Sequence, residues 1–400
     1  MRRVVITGQG AICALGEGVP TILNAMKNAQ CGIGQMDFVD VERLSIQIGA
    51  QIKGYDETAR FTARELTFYD RFTQYALIAA KEAIENSGID MLREVSENCG
   101  VVIGTSGGGL GTQDENYRQV FQEGKNRVHP FVVPRLMNNA ASSHISMVHG
   151  LKGPNFTVSS ACASSNHAMA QAYATIQSGF ADVMITGGAE AMLCFGGIKA
   201  WEGLRVMSKD GCRPFSKDRN GMVQGEGAGV FVFEEYEHAK ARSANILAEI
   251  KGFGICADAG DIVTPAVDGA VRAMRGALKQ GQINPEQIGY INAHGTATQM
   301  NDKTEAAAIH EVFGANTPLV SSTKSMHGHL IGGTGGIELL AAVMALSEGV
   351  VAPTINHNEA DPEIKLDVVP NEARALKTDY VLSNALAFGG LNAVIALGRV

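Results

Sequence analysis

The chain has 400 residues, 45% of them apolar and 18% charged, with a net charge of −8. That length exceeds one ordinary core, so two domains or a fused double core are expected, and the acidic balance argues against nucleic acid as a partner. The seven cysteines are scattered without a CxxC pair, as in a reduced cytoplasmic protein rather than a disulfide or zinc framework.

From the N-terminus, Arg3–Thr7 reads as a first strand. Arg2 and Arg3 imitate the charged start of a signal peptide, but Gly8, Gln9 and Gly10 interrupt the apolar run too early. Further strand-like runs are Gly100–Thr105, Phe156–Ser160, Val183–Thr186 and Val230–Glu234, then Leu247–Phe253, Ile288–Ala293, Leu319–Ser322, Tyr380–Asn384 and Ala393–Leu397. Helical patterns fall between them, at Arg71–Ser87, Ala163–Ser178, Gly269–Gln280, Asp302–Phe313 and Gly336–Glu348. The last is apolar nearly all round, which predicts a buried helix. This alternation predicts α/β architecture with largely parallel sheets. The first half closes near Glu235 and the polar segment Tyr236–Ala244 opens the second, dividing the chain into 1–240 and 241–400 with no evident sequence repeat. Leu330–Pro353 is broken by Glu338 and Glu348, so no run of about 18 apolar residues predicts a membrane span.

Three strand ends carry chemistry-bearing residues. Cys162 stands in NFTVSSACASSNHAMAQAYATIQSG, where an apolar run gives way to a small-residue helical stretch. The first N–H groups of a helix lack partners and carry partial positive charge. A thiol there is expected to titrate below the roughly 8.5 of free cysteine. Small neighbours (Ala161, Ala163, Ser164, Ser165) leave an acyl group room to approach, although a packed core cysteine is the commoner case. His294 follows Ile288–Ile291, and Lys324 and His329 follow Leu319–Val320. Active sites of parallel α/β sheets collect beyond the carboxyl ends of strands, so Cys162, His294 and His329 would share one rim. Glu338 lies in the apolar helix, where a carboxylate is costly unless paired; it is expected to pair with or near Lys324, as a supporting group or a plain structural salt bridge. GTSGGGLGT and HLIGGTGG lack the ending of a P-loop, and His327-Gly-His329 has no carboxylate or Cys at ligand spacing, so no metal is expected.

Several segments together resemble the β-ketoacyl-acyl-carrier-protein synthases of the elongating I/II type, within the thiolase-like superfamily. They are RRVVITGQGAICALG, CRPFSKDRNGMVQGEGAG, NAHGTATQMND, SSTKSMHGHLIG and SNALAFGGLNAV, in that order. LAEI, ADA, TPAV and STKS resemble the nodulation-type synthases most. The resemblance covers essentially the whole chain. It implies a thiolase-like fold of two related halves in five layers, α-β-α-β-α, and a homodimer. It also implies decarboxylative Claisen condensation: Cys162 takes an acyl chain, malonyl-acyl-carrier protein loses carbon dioxide, and the carbanion attacks the thioester to give 3-oxoacyl-acyl-carrier protein. No bound cofactor is implied, since the substrates ride on the phosphopantetheine of acyl carrier protein.

By the same resemblance His294 and His329 hold the enolate, and Lys324 sets the electrostatics around them. The backbone N–H groups of Cys162 and Phe388 form an oxyanion hole, with Phe388 also a gate. Thr296 and Thr298 bind the pantetheine arm. Gly107 stands where type II enzymes carry a bulky aliphatic residue in the acyl pocket, which predicts an opened channel. Gln299 and Leu391 also depart from the usual pattern, as do Thr67 and Phe68 in the carrier-docking region, where Arg64, Arg71, Lys125 and Arg127 remain. Competing readings are a non-decarboxylating thiolase, a non-catalytic chain-length partner in a heterodimer, or a specialised polyene/polyketide-type ketosynthase. A thiolase would need a second Cys near the C-terminus, where AFGGLN has none, and a chain-length partner would lack the nucleophile.

Overall fold

The computed structural model describes residues 2–91 and 96–400. The first half contributes strands β1 (Val4–Cys13), β2 (Cys99–Gly104), β3 (Asn155–Val158), β4 (Val183–Glu190) and β5 (Gly227–Glu235). Its main helices are α1 (Arg71–Ser87), α2 (Leu110–Phe121), α3 (Ala140–His149), α4 (Ser164–Gln177) and α5 (Phe195–Leu204). The second half runs β6 (Ala248–Ala257), α6 (Val267–Gly281), β7 (Ile288–Asn292), α7 (Gln299–Phe313), β8 (Leu319–Ser321), α8 (Thr334–Ser347), β9 (Tyr380–Ala387) and β10 (Leu391–Gly398). Local signals set the boundaries. Asp70 caps α1 by accepting the Phe72 N–H, and Gly88 ends it in the left-handed region that glycine tolerates.

The strands join in the order β8-β7-β9-β10-β6-β1-β5-β4-β2-β3, with Asp367–Val368 beyond β8. Outward from the centre, each half has the same pattern. β1-β5-β4 is antiparallel and β4-β2-β3 parallel; β6-β10-β9 is antiparallel and β9-β7-β8 parallel. Numbered within its own half, each reads first, fifth, fourth, second, third. The expectation of largely parallel sheets therefore needs correction: each half is mixed, because its last strand lies antiparallel between the fourth strand and the central first. The halves meet where Val4–Ile6 of β1 pair with Ala248–Ile250 of β6.

Five layers result. α1 and α3 cover the outer face of the first half, burying Phe72, Tyr75 and Ile145. α6 and α7 cover the second, burying Val271, Met274 and Ile309. α4 and α8 lie between, in the largest apolar cluster, with Met169, Ile176, Leu340 and Met344. α8 is buried along its whole length, which is why its sequence shows no polar face. Close approach is possible because Gly104 has no side chain: a Cβ there would sit 2.4 Å from the Ser164 carbonyl. The first turn of α4 is thus pinned against the end of β2.

Candidate active site

Cys162 and His329 occupy corresponding places in the two halves. Cys162 lies between β3 and α4, and His329 between β8 and α8. Each connection contains a non-glycine residue at positive φ, Ala161 at 48° and Ile331 at 47°. Such a residue costs on the order of 1–3 kcal/mol and persists only where its surroundings enforce it. At the first junction the Ser164 hydroxyl accepts the Ser160 N–H at 2.9 Å and donates to the Ala161 carbonyl at 2.7 Å, locking the turn that presents the thiol. His294 follows the end of β7, and Phe388 follows β9. Because α4 and α8 are stacked in the middle layer, these strand ends converge.

The sulfur of Cys162 and ring nitrogens of His294 and His329 all lie within 4.8 Å of one another. The two imidazoles meet edge to face, centroids 5.4 Å apart at 84°. All three residues line a cavity of about 260 Å³, together with Thr296, Thr298 and Phe388. Trp201 stacks on the Phe388 ring at 5.8 Å and forms part of the same wall.

The hydrogen bonds fix both imidazole tautomers. His329 Nδ1 accepts the Ile331 N–H at 3.2 Å and the Thr334 hydroxyl at 2.8 Å. A backbone N–H can only donate, so the ring proton sits on Nε2. That Nε2 has no protein partner among the described residues and is free to donate to a substrate oxygen. Lys324 Nζ stands 3.4 Å from His294 Nδ1; an ammonium only donates, so Nδ1 accepts and His294 also carries its proton on Nε2. Lys324 donates as well to the His294 carbonyl and to the Glu338 carboxylate. Lys324 is fully buried and acts on His294 from behind rather than from the cavity. Glu305 accepts the N–H groups of His294 and Gly295, both at 2.8 Å, and the Asn384 side-chain amide at 3.0 Å.

Burial governs the protonation states. Desolvation, Lys324 and the neighbouring imidazole hold His294 well below its ordinary 6.5. Desolvation, Lys324 and His327 do the same for His329. Both rings are neutral at physiological pH. Burial pushes the Glu338 carboxyl up to about 7 against the pull of Lys324. The Cys162 thiol is pushed up to about 12 by burial, opposed by Lys324 and by the N–H groups of Phe388 and of Cys162 itself. The expectation of a thiol titrating below 8.5 is therefore not met. The helix start supplies partial positive charge, but removing a thiolate from water outweighs it. The same two N–H groups do converge on the sulfur.

The remaining candidates fall as follows. The Thr296 and Thr298 hydroxyls bond each other at 2.9 Å at the cavity wall. Gln299 also lines the cavity, but its amide nitrogen is committed to the Arg219 carbonyl at 2.6 Å. Leu391 packs beside Gly389 of the AFGG turn. Gly107 does not open a channel: the space before it is occupied by Met192, and it is not part of the cavity wall. Sequence reasoning passed over Glu190, whose carboxylate gathers the Ser106, Gly107 and Gly332 N–H groups and the Thr105 hydroxyl. It also passed over Glu305 and Trp201. A charged residue ending an apolar strand marked Glu190, and an acidic residue on the buried face of α7 marked Glu305. Cys162, His294 and His329 form a soft donor set of the kind zinc uses. The buried Lys324 ammonium beside His294 Nδ1 would repel such a cation, so the arrangement suits an anionic oxygen better.

Comparison with known proteins gives a consistent result. Residues 1–239 match the β-ketoacyl synthase N-terminal domain and residues 247–358 its C-terminal domain. The chain is 46% identical over 401 residues to nodulation protein E of Rhizobium sp. (strain N33), covering all of both chains. It is 42% identical over 408 residues to 3-oxoacyl-[acyl-carrier-protein] synthase 2 of Staphylococcus aureus (strain COL), covering 100% of this chain and 98% of the relative. Among solved structures it resembles the ishigamide ketosynthase/chain length factor, with a TM-score of 0.96 at 33% identity over 100% of this chain and 99% of that one. It also resembles a type II polyketide ketosynthase in complex with its acyl-carrier protein bound to the hexaketide, with a TM-score of 0.90 at 29% identity over 100% and 99% of the two chains.

Proposed function

The chain belongs to the β-ketoacyl synthase family and is an acyltransferase, condensing an acyl thioester with malonyl-acyl-carrier protein to give a 3-oxoacyl-acyl-carrier protein and carbon dioxide; we propose that Cys162 is its nucleophile and that His294 and His329 are its enolate-binding pair. The observation that carries this reading is the cluster of one sulfur and two imidazoles within 4.8 Å, in a cavity with an apolar wall.

In the first half-reaction the Cys162 sulfur attacks the acyl-carrier thioester. The new C–S bond replaces the carrier's, and the thiol proton leaves on the released pantetheine thiol. Because the thiol is protonated in the free enzyme, proton loss accompanies attack rather than preceding it. The N–H groups of Cys162 and Phe388 hold the tetrahedral oxyanion. In the second half-reaction the malonyl C–C bond breaks and carbon dioxide leaves with no net proton transfer. The electron pair becomes an enolate whose oxygen accepts from Nε2–H of His294 and of His329. Its carbon then attacks the Cys162 thioester, and the tetrahedral intermediate expels the thiolate, which recovers a proton from solvent. A donor placed where charge develops stabilises such a step by about 3–4 kcal/mol. Lys324, fixed by Glu338, holds the His294 tautomer and keeps the ring neutral. Thr296 and Thr298 hold the pantetheine arm, and Phe388, stacked on Trp201, gates the passage between the malonyl and acyl sides.

Residues 1–240 and 241–400 are read as the two related halves, the first bringing the nucleophile and the second the histidines. Phosphopantetheine arrives with the carrier protein as substrate, and no resident cofactor has a role. The carrier protein docks at Arg64, Arg71, Lys125 and Arg127; the Phe68–Phe131 ring contact, 4.6 Å between centroids, brings these two segments together. A homodimer through the free edge of β3 is supported by the exposed Phe156 there and by Met147 and Val148 on neighbouring α3. Seven unpaired cysteines favour a reduced, cytoplasmic setting, and no helix among the described residues is long and apolar enough to cross a membrane. Peptide mapping after incubation with an acyl-carrier protein tests the reading: the acyl mass should appear on Cys162 and discharge when malonyl-carrier protein is added. An acyl mass on any other residue would refute it.

A further inference from the structure

Glu190 ends β4, is fully buried, and spends both carboxylate oxygens on neutral donors. Oε1 accepts the Thr105 hydroxyl at 2.9 Å and the Gly107 N–H at 3.1 Å. Oε2 accepts the Ser106 N–H at 2.8 Å and the Gly332 N–H at 3.0 Å, which joins the loop after β2 to the turn between His329 and α8. Gly332 is held from its other side as well: its carbonyl accepts the Ser165 hydroxyl at 2.5 Å, from the first turn of α4. The contact leaves no spare room. A Cβ on Gly188 would lie 2.0 Å from the Ser165 oxygen, and one on Gly332 would lie 2.5 Å from the Ser106 nitrogen and 2.7 Å from Glu190 Oε2. The two donors to His329 Nδ1, the Ile331 N–H and the Thr334 hydroxyl, flank Gly332 in the chain. The His329 backbone is anchored elsewhere, its N–H on the Val223 carbonyl at 2.7 Å and its carbonyl on the Gly225 N–H at 2.9 Å.

We propose that Glu190 and Ser165 are positioning residues for decarboxylation: they clamp Gly332 from opposite sides and thereby aim the His329 imidazole into the cavity. This rests on the reading of His329 as a donor to the enolate. A buried carboxylate is costly unless its oxygens are satisfied, and the groups that satisfy Glu190 come from two loops on opposite halves of the chain. Ile331, at a φ of 47°, holds a conformation that persists only where its surroundings enforce it; the clamp on the next residue is that enforcement. With Gly332 loosened, Ile331 relaxes, its N–H leaves Nδ1, and the ring turns while Val223 and Gly225 keep the residue in place. The imidazole then keeps its chemistry and loses its aim. Ser165 belongs to the helix that follows Cys162, so the same clamp ties the position of His329 to that of the nucleophile.

The test crosses the clamp with the imidazole it serves. Ser165→Ala, Glu190→Gln and Gly332→Ala are each made in the wild-type and the His329→Ala backgrounds. Carbon dioxide release from malonyl-carrier protein and the acyl mass on Cys162 are measured separately. Ser165→Ala removes one donor to Gly332. Glu190→Gln leaves a neutral oxygen where a charged one stood, which roughly halves the strength of the bond to Gly332. In the wild-type background each should lower decarboxylation about tenfold to a hundredfold, as a misplacement of about 1 Å does, with acylation within about threefold. In the His329→Ala background they should add less than about a twofold loss, because no ring remains to be aimed. Should Glu190→Gln fail to fold, Gly332→Ala addresses the same bond, since its Cβ would press on Glu190 Oε2. A loss of the same size in both backgrounds, or Ser165→Ala and Gly332→Ala that decarboxylate like wild type while His329→Ala is impaired, overturns the clamp and leaves His329 standing. If His329→Ala itself decarboxylates at the wild-type rate, the enolate reading of that ring falls and the positioning role with it.

Discussion

Replacing His329 by alanine should separate the two half-reactions. The substitution removes the Nε2–H donor and leaves the Lys324 contacts to His294 in place, because Lys324 reaches His294 and not His329. A single well-placed donor to a developing oxyanion is worth about 2.7–4 kcal/mol, so decarboxylation of malonyl-carrier protein should fall about 10²–10³-fold. Acylation of Cys162 relies on the Cys162 and Phe388 amides and should stay within about threefold of wild type. The Thr334 hydroxyl and Ile331 N–H lose their acceptor, costing about 1–3 kcal/mol of stability, which unfolding in urea would register. Release of labelled carbon dioxide measures one half-reaction and the mass of acyl-enzyme the other. Equal losses in both, or decarboxylation within tenfold of wild type, would refute the division of labour. The pH dependence is a second check. Both rings titrate well below 6.5, so at every pH above 6 they remain neutral donors. Decarboxylation should not show the imidazole step near 6.5 expected of an unperturbed histidine.

The thiol pushed up to about 12 predicts that iodoacetamide alkylation of Cys162 in the free enzyme rises about tenfold per pH unit between pH 7 and 9; a plateau in that range would mean a preformed thiolate. Lys324→Ala should destabilise the fold by about 3–5 kcal/mol in denaturant titration, because it strands the Glu338 carboxylate in α8, and restoring most of that loss with Glu338→Leu would identify the pair as the cause. KM for acyl-carrier protein should rise with ionic strength while kcat holds, and Arg127→Glu should raise KM at low salt and flatten its salt dependence; an Arg127→Glu variant indistinguishable from wild type at low salt would remove that residue from the docking surface.

Much of this site was legible in the sequence because its parts sit at strand ends, and strand ends can be read locally. Cys162 follows one short apolar run, His294 a second, and Lys324 and His329 a third, and the structure brings the three runs to one rim. The pairing of Glu338 with Lys324 followed from the cost of burying a carboxylate in an apolar helix, and the two groups do meet. The family assignment rested on ordered motifs and is matched along both halves of the chain. What stayed hidden depends on tertiary packing. The thiol's protonation is decided by burial from both halves, which no helix-start argument can weigh. Strand direction was misjudged because β5 and β10 pair antiparallel with both of their neighbours, which the alternation of strand and helix signals does not reveal. Gly107 suggested open space, since the residue that fills it lies far away in sequence. Glu190 gathers backbone N–H groups from two separate loops and Glu305 those of His294 and Gly295, roles that a strand end and a helix face hint at but do not define.

The central claim is that one sulfur both accepts the acyl chain and surrenders it to an enolate held by two neutral imidazoles. A single-turnover experiment tests it most directly. Enzyme acylated on Cys162 is freed of excess donor and mixed with malonyl-carrier protein. Loss of the acyl mass, carbon dioxide release and 3-oxoacyl-carrier formation should then proceed in equal amounts, with Cys162→Ser giving no elongated product. Elongation that leaves the adduct on Cys162 untouched, or full turnover by Cys162→Ser, would contradict the account.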